Sequence, residues 1–130
     1  MNISHINPDS VHQNPAFSQA TIVEGPAKTI YIGGQNGVDA SGNFVGNDLG
    51  SQAEQAFRNL LEILKEAGAT QENVVKLTIY VIEGEDINEG FAASQRVWGS
   101  HAVPISVLVV SALARSNALV EIEAIAAIEA

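Results

Sequence analysis

The hydrophobic pattern along this chain changes period several times, and each change marks an element. Residues 19–24 (QATIVE) and 29–32 (TIYI) are β-branched and flank the turn-forming GPAK, which predicts two short strands. The stretch GGQNGVDASGNFVGND, 33–48, is rich in Gly, Asn and Asp and reads as a long surface loop. It runs into Ser51 and Glu54, spaced as a capping box, and from there the period becomes 3.6. Ala53, Ala56, Phe57, Leu60, Leu61 and Leu64 fall on one helix face, opposite Gln55, Arg58, Glu62, Lys65 and Glu66. Gly68 supplies a stop.

NVVKLTIYVI, 73–82, is nearly continuous and β-branched, the pattern of a central strand covered on both faces. Residues 83–101 hold a second helix across Gly90, with Ile87, Phe91 and either Val97 or Trp98 packed inward. After Pro104 comes a buried strand over 105–111, in which Ser106 is the polar interruption, then a loop, ALARSN, and a last strand over 118–128. The order β-β-α-β-α-β-β predicts a single α+β domain, 1–130, with one sheet and both helices on one of its faces. Strict alternation in the last strand sends Val120, Ile122, Ala124 and Ala126 one way and Leu119, Glu121, Glu123 and Ile125 the other. If the helices cover the first set, the second face carries carboxylates among apolar residues. Such a face is the mark of an oligomer interface or a pocket.

Composition narrows the function classes. Six Lys and Arg against fifteen Asp and Glu give a formal charge of −9, and the basic residues are scattered, which disfavours nucleic acid as a partner. The sequence has no cysteine, so thiolate nucleophiles, disulfides and Cys-based metal sites are excluded. No apolar run approaches the roughly 20 residues of a membrane span, and the N-terminus lacks signal-peptide character. The expectation is a soluble, cytoplasmic protein.

No phosphate loop, nucleophile elbow, zinc-protease or dinucleotide motif is present, and His5, His12 and His101 lack metal-ligand spacing. Neither a metal nor a cofactor is expected. Glu121 and Glu123, two apart on one strand face, aim two carboxylates into one space. Periodicity alone favours a hydrogen-bonded interface pair, while an interfacial cleft would allow a general acid/base.

Five segments together resemble the RidA family, also called YjgF or L-PSP endoribonuclease-like: NPAFSQA (14–20), IYIGGQNGVDASG (30–42), QAFRNLLEILKEAGAT (55–70), VVKLTIYVIEGED (74–86) and VEIEAIA (120–126). The resemblance implies a chorismate-mutase-like fold and a homotrimer with small-molecule pockets between subunits. In the family's catalytic branch it implies hydrolysis of enamines and imines derived from amino acids, without metal or cofactor. Glu121 falls on the family's water-handling glutamate and Gly34 on the glycine of its pocket loop. Gly33 stands where a serine is usual, Phe17 where a tyrosine is, and Phe91 where an asparagine is. Leu108 and Glu123 complete the implied substrate contacts. The family's substrate-holding arginine, two residues after the strand's proline, is here Ser106.

Serine cannot neutralise a carboxylate as a guanidinium fork does. Arg115 lies in the last loop, where the family commonly has proline, too far from the pocket to replace it; Arg96 on the second helix of a neighbouring subunit is the better candidate, and a solvated helix face is its plainer role. Three readings follow: a trimer binding a neutral or cationic metabolite with hydrolysis in doubt, an authentic imine deaminase with a different cation, and a non-catalytic trimer that binds protein partners. Ribonuclease activity fits poorly with the charge.

Overall fold

A computed structural model describes all 130 residues. Its elements are β1 (Asn2–Ile6), β2 (Ala20–Glu24), β3 (Ala27–Gln35), α1 (Leu49–Glu66), a 3-10 turn at Gln71–Asn73, β4 (Val74–Ile82), α2 (Ile87–Val97), β5 (Ile105–Val110) and β6 (Val120–Glu129). β1 and β2 form a separate antiparallel ribbon, and the other four strands make one sheet in the order β3-β6-β4-β5. β6 lies antiparallel to both neighbours, and β4–β5 is parallel. The α+β architecture with both helices on one face is as expected, but the single sheet is not: the strand at 20–24 pairs with β1 outside the four-stranded sheet.

The core explains why. Val120, Ile122, Ala124 and Ala126 of β6 are buried, as the alternation requires, against Ala53, Ala56, Phe57, Leu60 and Leu64 of α1. In β4 the register shifts between Val74 and Lys76, so Val74, Leu77, Ile79 and Val81 all face the helices. Lys76, Thr78 and Tyr80 then face the other way. Helix α1 ends as anticipated: Gly68, at φ 77°, donates to the Lys65 carbonyl, and Ala69 donates to that of Leu64.

Several expectations need correction. β1 went unrecognised because NISHI is short and half polar, and its pairing depends on a partner beyond a long connection. Helix α1 begins one turn earlier than the Ser51–Glu54 box implies. Asp48 caps it, accepting from the Ser51 N–H at 2.9 Å, which lets Leu49 and Gln52 enter the core. Glu54 pairs instead with Arg58 and Arg96. Gly33 and Gly34 belong to the end of β3, not to the loop. In α2, Ile87 and Phe91 are about half exposed, at 45% and 46%, because Ala93 and Trp98 occupy the inward positions. Within the chain only the helix face of β4 is covered. β5 is an edge strand and not a buried one, with Val107, Leu108 and Val109 exposed.

The Ser51 backbone N–H, with its hydroxyl, holds the Asp48 carboxyl below its ordinary value. A depressed carboxylate stabilises the fold above its unfolded pKa, and that contribution disappears as pH falls through the folded value. Asp48→Ala should therefore lower the melting temperature by a few degrees near neutrality, with the deficit shrinking below about pH 4. Melting curves of both proteins across that range read this directly, and a deficit that persists undiminished into acid would contradict it.

Candidate functional site

Opposite the helices, the sheet presents an open face whose side chains fall in rows. Glu121, Tyr80 and Leu108 lie side by side on β6, β4 and β5, and Glu123, Thr78 and Ser106 form the next row. Tyr31, Ile125 and Lys76 form the row beyond, on β3, β6 and β4. With strands about 4.8 Å apart, Ser106 sits roughly 10 Å from Glu123 at the backbone. A shallow depression of about 380 Å³ opens among Tyr31, Gly33, Lys76, Thr78, Glu123 and Ile125.

Glu121 is seated by the irregularity at the end of β3. Between Ile32 and Gln35 the pairing to β6 shifts register, and Gly33 and Gly34 fill the shift. A Cβ on Gly34 would lie 2.6 Å from the Glu121 carboxyl carbon, so glycine is what lets the carboxylate rest against this backbone. Beyond it, the Asn36 amide donates to the Val120 carbonyl at 2.9 Å and reaches Glu121 Oε1 at 3.5 Å.

Glu123 has a different partner. The Tyr80 hydroxyl donates to its Oε1 at 2.8 Å. That hydrogen bond, aided by desolvation and by the charges of Glu123 and Glu121, raises the phenol above its ordinary value. The two carboxylates are thus unequal: Glu123 is committed to a strong side-chain donor, whereas Glu121 meets only a long amide contact.

Lys76 completes the face. Its ammonium donates to Ser106 Oγ at 2.7 Å across the β4–β5 pair. Neither arginine weighed from sequence is on this face. Within the chain Arg96 joins Glu54 at 3.4 Å beside α1, and Arg115 stacks on Phe44 at 4.6 Å while donating to the Gly42 carbonyl.

The remaining site residues are on the other side of the sheet. Phe17 and Phe91 line an apolar groove of about 220 Å³ together with Ile87, Trp98, Ile105 and Val107. Trp98 Nε1 is buried there without a hydrogen-bond partner. His101 closes one end, its Nε2 3.3 Å from the Val74 carbonyl and its ring edge-on to His5. Gly33, Gly34, Ser106, Leu108, Glu121 and Glu123 therefore share one face, whereas Phe17 and Phe91 share the opposite one. No single chain brings the two sets together.

Sequence reasoning missed Lys76, Tyr80 and Asn36. The alternation of TIYVI could have put Tyr80 beside a carboxylate. The facing of Lys76 depends on the register shift at the start of β4, which leaves no mark in composition.

In a Tyr31→Phe background, tyrosinate absorbance reports Tyr80 alone. Glu123→Gln should bring its midpoint down toward about 10, because the carboxylate favours the protonated phenol. An unmoved midpoint would mean that the Tyr80–Glu123 bond does not govern the phenol.

Residues 9–128 match the family model described as Endoribonuclease L-PSP. The human 2-iminobutanoate/2-iminopropanoate deaminase is 37% identical over 111 residues, which cover 85% of this chain and 78% of that protein. A RutC family protein of Pyrococcus abyssi is 34% identical, covering 85% and 84%. Among solved structures, a protein of the conserved Rid family from Yersinia pestis superposes with a TM-score of 0.85 at 36% identity, covering 98% of this chain and 100% of that one. RidA from a Psychrobacter species gives 0.71 at 28% identity, covering 96% and 99%. The matched length, the shared sheet and helices and the identity to these relatives agree: the chain belongs to the RidA (YjgF/L-PSP) family.

Proposed function

We propose that this protein binds a small metabolite in pockets completed by a neighbouring subunit of a homotrimer and hydrolyses imine or enamine substrates there, with Glu121 as acid/base. The observation that carries the reading is the inequality of the two carboxylates. Glu123 is occupied by Tyr80, and Glu121 is left against Gly34 with acceptor capacity to spare. A carboxylate so placed can take a proton from a water molecule as that water adds to the carbon of a C=N bond. Returning that proton to nitrogen gives the carbinolamine, and passing its hydroxyl proton to the same nitrogen lets the C–N bond break, giving a carbonyl compound and ammonia. The deaminase relatives support the same class of substrate.

The division of residues between the two faces of the sheet supports assembly. Tyr31 is 78% exposed on the open face, and Val107, Leu108 and Val109 are exposed along the β5 edge. A monomer leaves this apolar surface in water, whereas a ring of copies buries it and brings one copy's aromatic groove beside another's carboxylate face. Phosphodiester cleavage is less well supported, since the face that would meet RNA carries Glu121 and Glu123 around one lysine.

Purified protein should accelerate ammonia release from 2-iminobutanoate generated in situ, and Glu121→Gln should reduce this by roughly 10²–10⁴-fold while leaving the melting temperature nearly unchanged. A rate no greater than that of buffer would refute the hydrolytic reading. Light scattering after gel filtration should give a trimer mass, and Leu108→Glu, which puts a charge on the open face, should shift it toward monomer. A wild-type monomer at micromolar concentration would refute the shared pocket.

A further inference from the structure

We infer that Lys76 and Ser106 act together as the anion-holding element of this site, so that it selects a substrate carrying a carboxylate. The inference rests on reading the open face as the substrate site.

The geometry is specific. Lys76 Nζ donates one of its hydrogens to Ser106 Oγ, at 2.7 Å. Because the serine oxygen accepts this bond, its own hydrogen is free to point elsewhere, and the ammonium keeps two further donors. The pair thus offers an N–H and an O–H from neighbouring positions, and one full positive charge. That is a two-point match to a carboxylate, assembled from two strands instead of one guanidinium.

The charge is also available. The obvious competitor is Glu123, which lines the same depression, yet no ion pair forms between them, and Tyr80 occupies the glutamate at 2.8 Å. Other cations are spent or distant. Arg58 and Arg96 share Glu54, Arg115 lies over Phe44, Lys65 is in the last turn of α1, and Lys28 is paired opposite Ile128 at the far end of β3. Lys76 is therefore the one cation lining the depression. A face bearing Glu121 and Glu123 would otherwise repel an anion, so this lysine decides the sign of the ligand it accepts.

This differs from the neutral or cationic ligand expected from Ser106 and the two nearby glutamates. Ser106 is not an empty arginine position. It orients a lysine from the adjacent strand and adds a hydrogen bond of its own.

Calorimetric titration of the intact assembly with 2-oxobutanoate and with its uncharged amide tests this. Wild-type protein should bind the carboxylate at least roughly tenfold more tightly than the amide. Lys76→Met should abolish that preference, and Lys76→Arg should retain most of it. Ser106→Ala should keep the charge preference but weaken carboxylate binding a few-fold. Circular-dichroism melts establish that each variant is folded, and if Lys76→Met is not, the Lys76→Arg and Ser106→Ala titrations decide. Undiminished carboxylate preference in Lys76→Met, preference for the amide in the wild type, or binding of neither compound would overturn the inference. It is separable from the hydrolytic reading. Carboxylate binding through Lys76 without turnover would leave the inference standing and remove the reaction. Turnover indifferent to Lys76→Met would do the reverse.

Discussion

Everything on the functional face depends on the insertion of β6 between β3 and β4, antiparallel to both. Its helix-facing residues, Val120, Ile122, Ala124 and Ala126, are all nearly inaccessible, so a slip of one residue would bury two glutamates under α1 and expose the apolar set. Burying ionised carboxylates without partners costs several kcal/mol or more, far more than a small domain can spare. The hydrophobic core therefore also fixes the chemistry. It holds Glu121 and Glu123 on the open face because no other register is tolerable.

Around that strand, two register shifts do complementary work. One at the end of β3 brings Gly33 and Gly34 opposite β6 and makes room for the Glu121 carboxylate. The other, at the start of β4, turns Lys76 to the open face while Val74 and Leu77 both stay in the core. Each breaks the simple two-residue alternation, and each places a charged group. The sheet is most irregular where it carries charged chemistry, as is common for bulged strands.

The open face divides its labour by hydrogen bonding. Tyr80 commits Glu123, Ser106 receives Lys76, and Asn36 steadies Glu121 from the loop. The two sets of site residues nevertheless stay on opposite sides of the sheet. The edge strand β5 leaves Val107, Leu108 and Val109 exposed beside them.

The sequence by itself determined the helix α1, the alternation of β6, the stop at Gly68 and the placing of both helices on one face. These are local periodicities backed by burial, and a single pattern decides each. It also led to Glu121 and Gly34, through resemblance across the whole chain, and the structure sets the two side by side. What it did not disclose depends on contacts between distant segments. The β1–β2 ribbon, the edge position of β5 and the facing of Lys76 are outcomes of pairing and register, which local composition does not encode. Ser106 shows the difference most clearly. In sequence it is a missing charge, but in the fold it lies against a lysine 30 residues away, because only parallel pairing of β4 with β5 makes those two residues neighbours.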